Sequence, residues 1–248
     1  MNRPLTNMIF GLHAVRGVLR AYPERILSLR VAAARDDQRI GEILQLAQAA
    51  GIKVQRAQPR EFEQWLGEDT AHQGVLAEVK PLPGWDEDQL LDALTKSIQP
   101  LVLVLDGVQD PHNLGACQRT ANACGALAVI APKDRAVQMN ATVRKVAAGA
   151  AEFTPVVSVT NLARSLRLLK DAGLWIVGAD ADAPKQVAEV DLKGGIALVM
   201  GAEGAGLRQL TRDTCDLLVR LPMTGQVESL NVSVAAGMLL YEARRQRV

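Results

Sequence analysis

The chain has 248 residues, 48% of them hydrophobic and 22% charged, enough to bury one large core or two small ones. A net charge of +1 and 3% aromatic residues announce neither a polyanionic partner nor a base-stacking sheet. Three cysteines, Cys117, Cys124 and Cys215, lack the close pairing of a zinc site or a disulfide framework, so reduced thiols and no metal are expected. The longest apolar runs, Leu101 to Leu105 and Ile196 to Met200, fall far short of the roughly 20 residues of a membrane helix. The start Met1-Asn2-Arg3-Pro4 has no secretory core, so a cytoplasmic protein is expected.

In chain order, periodicity predicts a helix over Leu12 to Arg20, a strand over Ile26 to Ala32 and a helix over Gln38 to Ala50 stopped by Gly51. A strand over Lys53 to Arg56, a short helix after Pro59 and a strand over Gly74 to Val79 complete a small α/β module. Pro81, Pro83-Gly84 and the acidic run Asp86 to Asp88 then read as a linker before a helix around Gln89 to Ser97. Residues 1–80 and 101–248 each carry a net +2 and residues 81–100 a net −3. Two mildly basic domains therefore flank an acidic joint. The expected organisation is a domain over 1–79, a linker over 80–97 and a second domain over 98–248.

Beyond Pro100, strands and helices alternate. The strands are Leu101 to Val108, Leu127 to Ile130, Val156 to Val159 and Leu174 to Gly178. Between them fall helices at Leu114 to Cys124, Ala141 to Ala148 and Asn161 to Ala172, two of them closed by Gly125 and Gly173. Continuous apolar strands between helices predict a parallel sheet covered on both faces, with ligands at the carboxyl ends of its strands. Three polar loops fall there.

The first loop, Asp110-Pro111-His112-Asn113-Leu114-Gly115, puts Asn113 at a helix N-cap and Arg119 in the second turn. Gly115 is expected to let a substrate backbone approach, and the Arg119 guanidinium suits a phosphate. The second, Gly201-Ala202-Glu203-Gly204-Ala205-Gly206, follows Ile196 to Met200. Its spacing is not GxGxxG and it opens no βαβ unit, which disfavours a nicotinamide-binding loop. The third pairs a strand ending in Leu221-Pro222-Met223 with Ser229-Leu230-Asn231 before a helix over Val232 to Arg247. One of Ser229 and Asn231 can cap that helix while the other faces a pocket. His13, His72 and His112 are not spaced as metal ligands; only His112 lies in a motif, as a substrate-contact candidate.

Taken together, the three loops in this order resemble the motifs of the SpoU branch of RNA 2′-O-ribose methyltransferases, nearest to its bacterial 23S rRNA guanosine members. The resemblance covers nearly the whole chain and is strongest after residue 100. It implies a small ribosomal-protein-like (L30e-type) RNA-substrate-binding domain, then a SPOUT catalytic domain with a C-terminal trefoil knot. It also implies S-adenosylmethionine as cofactor, 23S rRNA as substrate and a homodimer. Carried over by residue, Asn113, Arg119, Glu203, Ser229 and Asn231 are the catalytic candidates, and Gly201, Leu221, Met223 and Leu230 bind the cofactor. Arg16 and Arg20 on the first helix are RNA-docking candidates, and His72-Gln73-Gly74 matches a structural signature. Because a guanidinium stays protonated, Arg119 is expected to hold the adjacent phosphate while Glu203 or a water accepts the 2′-hydroxyl proton. The same chemistry on tRNA, and a non-catalytic RNA-binding module, remain as alternatives.

Overall fold

The computed structural model describes residues 7–67, 70, 72–80, 84–227 and 229–248. Pro81 and Pro83, read as linker breaks, lie outside them. Two compact units emerge: the described residues among Met1–Pro83 with Ala148–Glu152, and Gly84–Ala147 with Phe153–Val248.

The first unit runs β1 (Met8–Phe10), α1 (Leu12–Ala21), β2 (Ile26–Ala32), α2 (Gln38–Ala49), β3 (Val54–Ala57), α3 (Pro59–Leu66) and β4 (Val75–Val79). Its sheet order is β1-β4-β2-β3, with only β2 and β3 parallel. Three-residue β1 was not expected; too short to show a period, it forms through its antiparallel pairing with β4. Asp37 caps α2, and Gln58 with Glu61 forms a capping box on α3, whose first residue is Pro59. His72 stacks on Phe62 at 4.7 Å and its Nδ1 accepts from Gly74 N, which bears out a structural role. Arg25 is buried, donating to Lys80 O and paired with Glu152 at 2.5 Å.

The second unit contains α4 (Glu87–Thr95), β5 (Leu101–Asp106), α5 (Pro111–Ala123), β6 (Ala128–Pro132), α6 (Ala141–Ala147), β7 (Val156–Val159), α7 (Leu162–Asp171) and β8 (Trp175–Ala179). It continues through β9 (Lys185–Gln186), β10 (Ile196–Gly201), α8 (Gln209–Thr214), β11 (Leu217–Arg220) and α9 (Val232–Gln246). All seven strands are parallel, in the order β7-β6-β5-β10-β8-β11-β9. The reason is legible in β5, which is buried at every position. Leu101, Leu103 and Leu105 pack with α5, α6 and α9, whereas Val102 and Val104 pack with α4 and α7. Helices thus cover both faces.

Several boundaries differ from expectation. The acidic run at 86–88 is not a break: Asp86 caps α4 and Glu87 and Asp88 form its first turn, where negative charge suits the helix dipole. β5 stops at Asp106 because Gly107 turns the chain at φ 89°. Leu221 to Met223 do not end a strand but follow β11, which closes at Arg220. Gly51, Gly125 and Gly173 do sit just past helices, at φ 69°, 76° and 88°. No helix among the described residues is long and apolar enough to cross a membrane.

Candidate active site

A cleft opens at the carboxyl ends of β8, β10 and β11. It is lined by Ala179 to Ala181, Met200 to Gly204, Gly206, Val219 to Leu221, Met223, Ser229, Leu230, Val232 and Ala235. Gly201, Glu203, Leu221, Met223, Ser229 and Leu230, named from the sequence, all belong to this lining.

The glycine loop holds its form through its own backbone, Ala202 N donating to Gly206 O at 3.1 Å and Gly206 N to Ala202 O at 2.9 Å. A β-carbon at Gly201 would lie under 3.0 Å from the backbone of Gly206 and Leu207, so this turn closes only on glycine. The loop is anchored at its far end. Arg208 N and Nε donate to the buried Asp106 carboxylate at 3.0 and 2.5 Å, fastening the loop to the end of β5.

Asn231 joins the three motifs. Its Oδ1 accepts from Ser233 N at 3.0 Å and Ser233 Oγ at 2.6 Å, which makes it the N-cap of α9. Its Nδ2 donates to Asn113 Oδ1 at 2.9 Å and reaches Glu203 Oε1 at 3.5 Å. Asn231 therefore caps while Ser229 faces the cleft.

The first motif is built differently from its sequence reading. Asp110, not Asn113, caps α5 by accepting from His112 N at 3.0 Å, with Pro111 as the first helical residue. Asn113 is a buried residue of the first turn, and Arg119 falls in the third. Gly115 does not open space for substrate, since a β-carbon there would meet Val146 Cβ at 2.7 Å and Val143 O at 2.8 Å; it lets α6 pack on α5. Arg119 and His112 are exposed and do not line the cleft. The Arg119 side chain has no hydrogen bond or ion pair among the described residues. Arg16 and Arg20 are both ion-paired to Glu42 of α2, Arg16 at 3.1 Å.

Sequence reasoning missed Asp180, Arg220, Met200 and Ala235 in the lining, and the Asp106–Arg208 anchor. Asp180 could have been found by applying the carboxyl-end rule to the strand ending near Gly178; it is ion-paired to Arg212 of α8. Arg220 is held by the carbonyls of Ala183 and, at 2.7 Å, Pro184. Burial pushes the Cys117 and Cys215 thiols up to about 12, so neither supplies a thiolate at neutral pH. Among the described residues, no group of three or more His, Cys, Asp or Glu could hold a metal ion.

Fold and site together define an α/β protein with a cleft at the carboxyl edge of a parallel sheet. Residues 100–241 match the SpoU rRNA Methylase family, and residues 8–85 match the RNA 2'-O ribose methyltransferase substrate binding family. The chain belongs to the SpoU methylase family. It is 52% identical over 240 residues to the 23S rRNA (guanosine-2'-O-)-methyltransferase RlmB of Pseudomonas aeruginosa, covering 96% of each chain. The protein of that name from Coxiella burnetii is likewise 52% identical, over 96% of this chain and 95% of the relative. The structure of the SpoU methyltransferase AviRb from Streptomyces viridochromogenes in complex with AdoMet superposes with a TM-score of 0.73 at 25% identity, covering 97% of this chain and 90% of that one.

Proposed function

We propose that this chain transfers the methyl group of S-adenosylmethionine to the ribose 2′-hydroxyl of a guanosine in 23S rRNA, in its peptidyl-transferase P loop. The observation that carries the reading is Asn231, which bonds Asn113 and reaches Glu203 at the rim of a glycine-edged cleft. One side chain thereby joins the three motifs whose order marks the family.

The cleft's composition fits the cofactor. Met200, Leu221, Met223 and Leu230 offer apolar walls to a purine, Gly201 lines the cleft, and the Glu203 carboxylate suits a cationic ligand. S-adenosylmethionine supplies an already activated methyl group, leaving the protein to align the ribose and accept a proton. Asn113, Ser229 and Asn231 orient the reactants. Glu203 or a water takes the proton. Exposed and unpartnered, Arg119 holds the phosphate beside the target ribose as a planar two-pronged donor and stabilises developing oxyanion character.

The finer architecture belongs to the same reading. Residues 1–79 form an L30e-type RNA-docking domain, with Arg16 and Arg20 its candidate contacts; the expected 80–97 link to the catalytic domain over 98–248 is shorter, because α4 packs with β5 inside the catalytic unit. A C-terminal trefoil knot is proposed for the segment that runs from β11 into α9. Val234, Met238 and Tyr241, exposed at helical spacing on α9, support a homodimer through that helix. A cytoplasmic location follows from the substrate.

The test is transfer of tritiated methyl from the cofactor to 23S rRNA and, in parallel, to bulk tRNA, each from cells lacking ribose methylation, with nuclease mapping. Label in one ribose of the P loop is expected. Label only in tRNA would keep the chemistry and overturn the substrate; none in either would leave a binding module.

A further inference from the structure

The loop from Lys133 to Asn140, between β6 and α6, contributes nothing to the site described above. Its shape is fixed from within. The Gln138 amide donates to the carbonyls of Pro132 at 3.2 Å, Lys133 at 3.1 Å and Ala136 at 3.4 Å, while its oxygen accepts from Ser158 Oγ at 3.0 Å. Val137 N donates to Val108 O at 2.9 Å, tying the loop to the turn after β5. At the apex Arg135 has φ 57°, a left-handed conformation that glycine adopts freely and a side chain disfavours.

The cations of this rigid loop are unused. Lys133 and Arg135 are exposed, and neither side chain has a hydrogen bond or ion pair among the described residues. Asp134 lies between them, leaving the three residues at a net +1, which favours short-range contacts over long-range attraction.

Their place in the fold is specific. A β-carbon built on Gly107 would stand 3.8 Å from Arg135 O and 3.8 Å from Ala202 Cβ, so the apex of this loop and the residue preceding Glu203 flank one glycine. β6 adjoins β5, which adjoins β10. At roughly 5 Å per strand, the loop starts about 10 Å from the strand end that carries Gly201.

We propose that the Lys133–Asn140 loop is a phosphate-contact rim, with Arg135 and Lys133 holding backbone phosphates of nucleotides flanking the ribose presented to the cleft. Two cations spaced along a pre-shaped loop match the repeated anions of a nucleic-acid strand, whereas the cofactor offers one carboxylate. This deepens the reading of rRNA as substrate and rests on it.

The test uses the full-length double variant Lys133→Ala with Arg135→Gly. Glycine suits φ 57° and Lys133 is exposed, so the fold is not at risk, and a thermal melt checks it. Methyl transfer to unmethylated 23S rRNA and RNA binding are measured over a salt series. The expected result is an RNA KM raised on the order of tenfold, with the slope of log Kd against log salt shallower by about 1.4, roughly 0.7 per lost phosphate contact. The cofactor KM, and kcat at saturating RNA, stay at wild-type values. Unchanged RNA affinity and slope would overturn the proposal. So would a rise confined to the cofactor KM, which would assign the guanidinium to the cofactor carboxylate. Wild-type protein that methylates no RNA would instead fail the reading beneath it, and the rim with it.

Discussion

Replacing Gly201 by alanine inserts one methyl group where the structure has no room for it. The new carbon would fall under 3.0 Å from backbone atoms of Gly206 and Leu207, and no flexible side chain stands there to swing aside. The turn must open, breaking the paired bonds between Ala202 and Gly206, worth about 1 kcal/mol each. Residual overpacking adds roughly 1–3 kcal/mol, so the expected loss of stability is about 3–5 kcal/mol. Glu203 rides on this loop and would leave Asn231, so cofactor affinity should fall at least about tenfold. Gly204→Ala is the control: Gly204 has φ 76° but nothing within 4 Å of its would-be β-carbon, so only about 1 kcal/mol of left-handed strain is expected. Urea unfolding gives the stabilities and calorimetric titration with S-adenosylmethionine the affinities. If Gly201→Ala matches Gly204→Ala in both, this turn does not require glycine for its closure.

Asn231→Asp retains the acceptor that caps α9 but cannot donate to Asn113, and it sets a carboxylate beside Glu203. Stability should stay within about 1 kcal/mol while turnover falls by more than roughly tenfold, and Asn231→Ala should lose both; thermal melts beside methyl-transfer rates decide. Glu152→Ala strands the buried Arg25 guanidinium, but the Lys80 carbonyl remains its acceptor, so the cost should sit near about 3 kcal/mol in urea unfolding. The Glu242 carboxyl, held down to about 2 by bidentate bonds from Arg245, contributes stability that is present above its ordinary value of 4.5 and lost as pH falls towards 2. Glu242→Gln should therefore flatten the acid limb of the unfolding midpoint across that window. Native Cys117, buried, and Cys215, half-buried, should resist iodoacetamide at pH 8, and mass mapping that found them labelled before unfolding would contradict their raised thiol pKa.

Much of the catalytic half is legible in the chain because its signals are local. Leu101 to Leu105, apolar at every position, can only be a strand buried on both faces, and Gly125 and Gly173 stop their helices by a backbone preference that needs no partner. Six cleft residues were named from loops that follow apolar strands, a rule that depends only on the carboxyl ends of a parallel sheet. Errors arose where the deciding atom lies far along the chain. Gly115 reads as an opening for substrate until Val143 and Val146 are known to press against it. Asn113 reads as a cap because Asp110, three residues earlier, competes with it and the choice depends on where the helix starts.

By itself, then, the amino-acid order determined the α/β class, the alternation that makes the second sheet parallel, and the residue types gathered in three loops. Hydrophobic period and glycine placement act within a few residues, so they can be read without a partner in space. The tertiary structure alone decided that Asn231 meets Asn113 across 118 residues, that Arg208 fastens the glycine loop to Asp106, and that Arg135 flanks the same glycine as Ala202. These are contacts between side chains or loops brought together by strand order. A sheet that seats β10 between β5 and β8 sets that order through packing of its two faces, which no local pattern records.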